Sequence, residues 1–504
     1  MRGPAAIAVG VAVFTACAGS SPTTIEPSTI DPNDSAAPGV AVSTAAPRAT
    51  EPPPSSEQAP PPTDVRPPSL GLGDGLFPDL GSADVDVVSY DVRLTVPNEV
   101  GAISATLVAD IEVTRDVAVL PLDAVGLDVA TVTVDDAPTT FEAVDSELLI
   151  DLPAERERSV VAVIDYSFTP DGGRSVVGLP IGWRQSDGRS YVLNEPDGAR
   201  TWLPANDHPS DKATWRFDIT VPPGVVAVAN GELRRRGDDD GSWSWVQDEP
   251  MSTYLVQLIV GDYEIVDGGS VPSGSGRMIP LTHVTPSGER DTFAAAFAGI
   301  GARMAFFEER FGPYPLQRYG LAFVDDLSNL AMETQGRSLF GASDFTGGTL
   351  GYFQELLLAH ELAHQWFGNA VSPAAWTDIW LNESVTTYAQ WLWLDHAGLQ
   401  PLDGYADAML RQRQSGGGST GEPSLADMFG FNRYDGGAVV VHALRATLGD
   451  DAFFDLMERW VADHVGTSQS TDTFIALAEQ VHGDDLGGFF DAWLYADTLP
   501  DSYP

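Results

Sequence analysis

The stretch His360-Glu361-Leu362-Ala363-His364, followed by Asn382-Glu383, decides how the rest of this chain is interpreted. Residues four apart lie on one face of an α-helix, so a helix here lets both histidines hold one metal ion. Glu361 lies about 100° further round that helix, where a general base can reach a water activated by the metal. Glu383 follows His364 by nineteen positions, which is room for the first helix to end near Gly368 and a second helix to begin. Two histidines, one carboxylate and one open position form the ligand set of a catalytic zinc ion.

The alternative is a helix that carries two histidines by chance. A bare five-residue motif leaves that alternative open. The second glutamate, in the setting Trp380-Leu381-Asn382-Glu383, argues strongly against it. The sequence therefore predicts one zinc ion per chain, held by His360, His364 and Glu383.

The chain is strongly acidic. Its 504 residues, enough for two to four domains, include 72 acidic and 27 basic side chains, for a net charge of −45. A nucleic-acid partner is excluded on this ground, because a phosphate backbone requires a basic surface. Lys212 is the only lysine in the sequence. The acidic surface has two open explanations, which are a GC-rich genome and adaptation to salty surroundings.

The N-terminus is typical of an exported lipoprotein. Arg2 precedes a short apolar run over residues 5–14, and two small residues lead to Cys17, the single cysteine. Such a run is too short for a comfortable membrane span and is typical of a signal peptide. We expect cleavage before Cys17 and its lipidation, which would anchor the protein to the extracytoplasmic face of the cell membrane. An ordinary secretory signal with an incidental cysteine is the alternative.

Three segments follow the predicted signal peptide at residues 1–17. Residues 18–82 are rich in Pro, Ser and Thr and predict a disordered tether. Residues 83–282 show strand-like alternation, as at Val92, Leu94 and Val96, and predict an antiparallel β domain. Residues 283–504 change to a helical period and predict a mainly helical α+β catalytic domain that contains the metal motif. Predicted helices cover residues 293–311, 352–367, 382–397, 438–447, 451–464, 471–482 and 485–495.

These motifs resemble the aminopeptidase N family of zinc metallopeptidases, which also includes the leukotriene hydrolases. The resemblance rests on the run from His360 to Asn369 and on Trp380-Leu381-Asn382-Glu383. Further matches are Glu195-Pro196, Asn206-Asp207-His208-Pro209-Ser210-Asp211-Lys212, Phe311-Gly312-Pro313-Tyr314-Pro315 and Ala331-Met332-Glu333. The resemblance covers about residues 85–500 and implies a saddle-like β domain followed by a thermolysin-like catalytic domain. The large C-terminal helical domain of many relatives has no counterpart, so the chain resembles a short, two-domain member.

The resemblance also implies roles for individual residues. Glu361 resembles the general base, and Tyr434 the tyrosine that stabilises the transition state. Glu333 and Glu195 resemble the residues that bind the free α-amino group of a peptide substrate. The motif around Glu333 departs from the family pattern at Leu330 and Thr334, where the family has glycine and asparagine. Together these roles imply a zinc aminopeptidase that acts on peptides with a free N-terminus.

Several alternatives remain open from the sequence. The departures around Glu333 leave room for another zinc hydrolase, such as an endopeptidase or an epoxide hydrolase. A tethered binding protein with a disabled zinc site is the alternative from a different class, although all four motif residues are present. Among single residues, Glu195 could pair with Arg200 as a structural charge, and Tyr405 is a weaker rival of Tyr434. Asp378 is a candidate for orienting the histidines.

Overall fold

The computed structural model of the protein describes residues 67–97, 101–154, 158–186 and 188–504. The predicted signal peptide, Cys17 and most of the predicted tether lie outside these residues. Within them, no helix combines the length and the apolar character needed to cross a bilayer.

The N-terminal half is built from β-strands. Its largest sheet has the strand order β13-β14-β11-β1-β2-β8-β4-β5, antiparallel except where β1 lies parallel to β11. Two smaller sheets have the orders β12-β15-β10-β9 and β3-β7-β6. The strands are β1 Val85–Thr95, β2 Ile103–Val113, β3 Val119–Asp123, β4 Asp128–Val134, β5 Ala137–Pro138, β6 Phe141–Val144, β7 Glu147–Asp151, β8 Ser159–Phe168, β9 Gly182–Ser186, β10 Arg189–Leu193, β11 Lys212–Thr220, β12 Val226–Ala229, β13 Glu232–Arg235, β14 Ser242–Ser252 and β15 Leu258–Gly261.

The alternation in the sequence reports the two faces of the large sheet. Val92 and Leu94 are buried in the core, whereas Arg93 and Thr95, which alternate with them, face solvent. The same alternation in β2 and β8 places one face of each strand in a single apolar core. The prediction of a largely antiparallel β domain is therefore confirmed.

A five-stranded sheet joins the two halves of the chain. Its order is β16-β17-β18-β20-β19, with parallel pairing of β17 to β18 and of β18 to β20. The predicted domain boundary between residues 282 and 283 falls inside β17, so the structure does not divide there. The remaining strands are β16 Tyr263–Pro272, β17 Met278–Pro286, β18 Leu321–Val324, β19 Ala331–Met332, β20 Ser338–Gly341, β21 Val371–Pro373 and β22 Thr467–Gln469.

Helices dominate the C-terminal half, as predicted. They are α1 Ala294–Ala298, α2 Ile300–Phe311, α3 Tyr352–Ala363, α4 Trp380–His396, α5 Leu402–Gly416, α6 Asp435–Leu448, α7 Asp450–His464, α8 Thr471–His482 and α9 Gly487–Phe490. The helix predicted over residues 293–311 is interrupted at Gly299, and the segment predicted over 485–495 continues from α9 into a single π-helical turn, Asp491–Tyr495. The sequence pattern did not predict α5, because much of that helix is polar.

Residues 67–82 correct the predicted tether, because they are folded onto the rest of the protein. Leu76, Phe77 and Leu80 are buried in the apolar core. Asp74 accepts hydrogen bonds from the backbone N–H groups of Leu76 and Phe77 at 2.7 and 3.0 Å, and from that of Trp376 at 2.5 Å. These residues therefore connect the start of the described chain to the catalytic half.

Candidate active site

Helices α3 and α4 bring the three predicted metal ligands together. Nε2 of His360 lies 3.0 Å from Nε2 of His364, and Oε2 of Glu383 lies 3.2 and 3.5 Å from these two atoms. A tetrahedral zinc ion with ligand distances of about 2.0–2.1 Å requires about 3.3–3.4 Å between neighbouring ligand atoms. The three atoms therefore fit one face of a zinc tetrahedron. Among the described residues, no other group of histidine, cysteine or acidic side chains has such spacing.

The charges of the site also fit a cation. Burial opposes ionisation of Glu383, but the positive charge of His364 and hydrogen bonds from both histidines outweigh it and lower the pKa of Glu383 to about 2. Burial likewise opposes a charge on His364, yet the negative charges of Glu333 and Glu383 raise its pKa to about 10. The buried carboxylates thus draw positive charge to this position, and a zinc ion would supply it.

Neutral oxygens behind the histidines fix the orientation of both rings. Gln390 Oε1 lies 3.1 Å from Nδ1 of His360, while the carbonyl oxygen of Phe367 and the hydroxyl of Thr386 lie 3.0 and 3.3 Å from Nδ1 of His364. An acceptor at Nδ1 holds the proton there and leaves Nε2 free to bind a metal. Gln390 and Thr386 were not among the predicted site residues, although their positions seven and three residues after Glu383 place them on the same face of α4.

Asp378 does not orient the histidines, so that prediction is wrong. Its Oδ1 accepts hydrogen bonds from the backbone N–H and the hydroxyl of Thr471, at 2.9 and 2.7 Å. The second helix was predicted to begin at Asn382, but α4 begins two residues earlier at Trp380, and Asn382 lies inside it. A short 3-10 helix, Trp376–Asp378, leads directly into α4 and determines where it starts.

Three further acidic residues gather around the metal ligands. Glu333 and Glu361 are buried and Glu195 is half-buried. Burial raises the pKa of each above its usual range, and the negative charge of Glu383 adds to the effect. One oxygen of each carboxyl group is buried, and no hydrogen bond from the described residues reaches it. These oxygens are suited to accept hydrogen bonds from a substrate or a water.

The electrostatic surroundings place Glu195 in the site. Glu333, Glu383 and Glu361 all act on its carboxyl group. The alternative of a structural pair with Arg200 is wrong, because the guanidinium of Arg200 binds Asp197 at 2.5 Å. Glu195 follows β10 in the N-terminal half, whereas the other acidic residues belong to the C-terminal half, so both halves contribute to one site.

Glutamine and asparagine side chains from the metal motif hold the backbone at Glu333. Its carbonyl oxygen accepts hydrogen bonds from Nδ2 of Asn369 at 2.6 Å and from Nε2 of Gln365 at 3.2 Å. Both residues closely follow the metal ligand His364. The position of the Glu333 carboxyl relative to the metal site is therefore determined by the same segment that carries the ligands.

Tyr434 lies beside the predicted metal ligand His360. Its ring centroid is 6.0 Å from that of His360, with an angle of 29° between the rings, and burial raises the pKa of its hydroxyl well above the usual value. The hydroxyl therefore stays protonated and can donate a hydrogen bond. Tyr405 donates to the carboxylate of Asp435 at 3.2 Å, so it supports the segment beside Tyr434 and does not replace it.

Two family models match this chain. The model of the peptidase M1 N-terminal domain matches residues 87–255, and that of the peptidase family M1 domain matches residues 296–493. Aminopeptidase N of Streptomyces lividans is 29% identical over 447 residues, 81% of this chain and 50% of that protein. Probable aminopeptidase 1 of Saccharolobus solfataricus is 27% identical over 409 residues, 76% of this chain and 50% of that protein. The chain thus spans about half the length of these curated relatives.

Solved structures of two other proteins superpose on this chain. An M1 zinc metallopeptidase variant from Deinococcus radiodurans, bound to the substrate Tyr-Ser-Ala, has 28% identity and a TM-score of 0.76, and covers 86% of this chain and 99% of its own. Leukotriene A4 hydrolase from Saccharomyces cerevisiae shares the fold at 19% identity with a TM-score of 0.69, over 83% of this chain and 69% of its own.

The two matched domains, in the same order as in the solved relatives, cover nearly three quarters of the sequence. They contain the predicted zinc ligands His360, His364 and Glu383 and the adjacent Glu361. The fold, the metal-binding motif and the comparisons therefore agree on one family. The chain belongs to peptidase family M1, as does the solved zinc metallopeptidase from Deinococcus radiodurans.

Proposed function

We propose that this protein is a zinc-dependent aminopeptidase that removes N-terminal residues from peptides. The observation that carries the proposal is the group of buried carboxyl oxygens, on Glu333 and Glu195, beside the zinc ligands and Glu361. A terminal ammonium group donates hydrogen bonds and carries a positive charge. It can therefore supply these oxygens with both the hydrogen bond and the opposite charge that they lack. An internal peptide segment carries no positive charge and would leave the buried carboxylates without a cationic partner.

The residues of the chain divide the chemistry between them. Zinc bound by His360, His364 and Glu383 would polarise the substrate carbonyl and lower the pKa of a water molecule. Glu361 takes a proton from the attacking water and can pass it to the leaving amine, a role for which its raised pKa is suited. The carboxyl groups of Glu333 and Glu195 hold the substrate ammonium and so select the first peptide bond.

Tyr434 completes the arrangement by stabilising the oxyanion of the transition state. Its hydroxyl remains a donor across the working pH range because burial raises its pKa. A donor of this kind contributes about 2.7–4 kcal/mol to transition-state binding. Its hydrogen bond strengthens as negative charge develops on the substrate oxygen, which lowers the barrier more than it tightens substrate binding.

A peptide panel tests the proposal. Each peptide is offered with a free and with an acetylated N-terminus to the wild type, Glu361→Gln and Glu333→Ala, with and without a zinc chelator. We expect cleavage of free peptides only, loss of activity in Glu361→Gln with zinc retained, and a large rise in KM in Glu333→Ala. Equal cleavage of acetylated peptides would favour an endopeptidase. Complete inactivity of a zinc-loaded wild type would favour a binding protein.

We also propose that the protein is exported and anchored in the membrane by lipid on Cys17. The support is the sequence of residues 1–17, which combines a basic start, an apolar run and small residues before the cysteine. Labelling of the full chain with radioactive palmitate in a bacterial host tests this proposal. We expect label and membrane association in the wild type and neither in Cys17→Ser. A labelled Cys17→Ser variant would refute the assignment.

A further inference from the structure

The single lysine of the chain occupies an unusual position. Of the 27 basic residues, 26 are arginine and one is Lys212, so a basic side chain in this protein is almost always arginine. Lys212 is the first residue of β11, next to the long strand β1 in the large sheet. Its side chain is half-buried and points from the β domain into the catalytic half. The exception suggests a contact that arginine does not fit.

The ammonium group of Lys212 donates to three backbone carbonyl groups. Nζ lies 2.8 Å from the oxygen of Asn369, 3.3 Å from that of Ala370 and 3.3 Å from that of Thr467. An ammonium group has three donors arranged around one nitrogen, whereas a guanidinium presents its donors in one plane. Burial lowers the pKa of Lys212 to about 7. The three oxygen acceptors stabilise the charged form and so act to raise this pKa.

A second side chain of the β domain binds the same turn. The hydroxyl of Tyr254 donates to the carbonyl oxygen of Gly368 at 2.8 Å. The carbonyl groups of Gly368, Asn369 and Ala370 are consecutive, and each accepts a hydrogen bond from Tyr254 or Lys212. We call residues 368–370 the post-motif turn, since they follow directly after the metal-binding motif. This turn is therefore held by the β domain as well as by its own helix.

Asn369 connects the post-motif turn to both parts of the active site. Its backbone N–H donates to the carbonyl oxygen of the metal ligand His364 at 3.0 Å. Its side chain donates to the carbonyl oxygen of Glu333 at 2.6 Å. Nζ of Lys212 donates to the backbone carbonyl oxygen of Asn369. A shift of Asn369 would therefore move the carboxyl group of Glu333 relative to the metal ligands.

We propose that Lys212 is a positioning residue for the amine-binding glutamate, acting through Asn369. The proposal rests on the function proposed above, in which Glu333 binds the substrate ammonium. Glu333 holds that ammonium in both the ground state and the transition state, so its displacement raises KM more than it lowers kcat. A displacement of about 1 Å costs on the order of a hundredfold in efficiency, and we expect a loss of about tenfold to a hundredfold.

Kinetics of Lys212→Met, Lys212→Arg and the control Arg216→Met on a free-N-terminus peptide test the proposal. Arg216 lies on the same strand, but its exposed guanidinium pairs with Asp218 on that strand. We expect KM to rise at least tenfold in Lys212→Met and by a smaller factor in Lys212→Arg, with the zinc content unchanged. Arg216→Met should match the wild type. If Lys212→Met does not fold, Lys212→Arg carries the test.

Hydrogen exchange provides a readout that does not depend on activity. Amide exchange of residues 364–370 should be faster in both Lys212 variants than in the wild type and in Arg216→Met. An unchanged KM, or unchanged exchange in this segment, would overturn the proposal. A fall in kcat or zinc content at constant KM would also overturn it, in favour of a purely structural role. A zinc-loaded wild type without peptidase activity would instead refute the proposed function, while exchange would still test the contact.

Discussion

Replacing Gln390 with leucine should weaken zinc binding without changing a zinc ligand. The substitution keeps the size of the buried side chain but removes the oxygen 3.1 Å from Nδ1 of His360. The ring N–H then has no acceptor at that position, and an unsatisfied buried donor costs about 1–3 kcal/mol. Since about 1.4 kcal/mol corresponds to a factor of ten in affinity, we expect the zinc Kd to rise about tenfold to a hundredfold.

Competition with a fluorescent zinc chelator, at fixed pH and ionic strength, measures this change. The matched control is Gln390→Glu, which keeps the acceptor and the chain length and should bind zinc at least as tightly as the wild type. Thermal unfolding of both variants in excess zinc shows whether the fold is intact. If Gln390→Leu is folded and its zinc Kd lies within twofold of the wild-type value, packing alone orients His360 and our reasoning is wrong.

Three further predictions follow from other contacts. Tyr434→Phe should lower kcat about a hundredfold to a thousandfold, with zinc content and KM nearly unchanged. Steady-state kinetics that show an equally large rise in KM would contradict the oxyanion role. Burial raises the pKa of Asp211 to about 7 from an unfolded value near 4, so its contribution makes the folded state less stable as pH rises from about 4 to 7. Urea unfolding should show this slope, at most about 1.4 kcal/mol per pH unit, reduced in Asp211→Asn; identical slopes would refute the assignment. Asp74→Ala should destabilise the protein by about 2–4 kcal/mol, because three backbone N–H groups lose their acceptor, and an unchanged unfolding midpoint would show that residues 67–82 add little.

The spacing of the metal motif was enough to predict the centre of the site. Helical periodicity fixes where His360 and His364 point relative to each other, and the chain between His364 and Glu383 is long enough to reverse direction. The residues that hold the histidine rings in place are harder to predict, because the direction in which they point depends on where a helix begins. Asp378 lies close to Glu383 in sequence, yet it precedes α4 and faces Thr471. Gln390 is further away in sequence but lies on the correct face of α4.

The predicted tether shows a different limit of sequence reasoning. Residues 67–82 contain three prolines and four glycines, and such a composition on its own predicts disorder. Three buried side chains, those of Leu76, Phe77 and Leu80, and the hydrogen bonds of Asp74 are enough to order the segment. The hydrogen bond from Trp376 to Asp74 joins residues that are 302 positions apart, and the sequence around Asp74 does not predict it.

The charges of the site explain why a neutral amide lies behind His360. Glu195, Glu333, Glu361 and Glu383 place four acidic groups in one largely buried site. In the function proposed above, a zinc ion and a substrate ammonium together bring three positive charges, and the fourth acidic group, Glu361, takes a proton during the reaction. A carboxylate at position 390 would add a fifth negative charge that neither substrate nor metal balances. The amide of Gln390 orients the histidine equally well and leaves this balance intact.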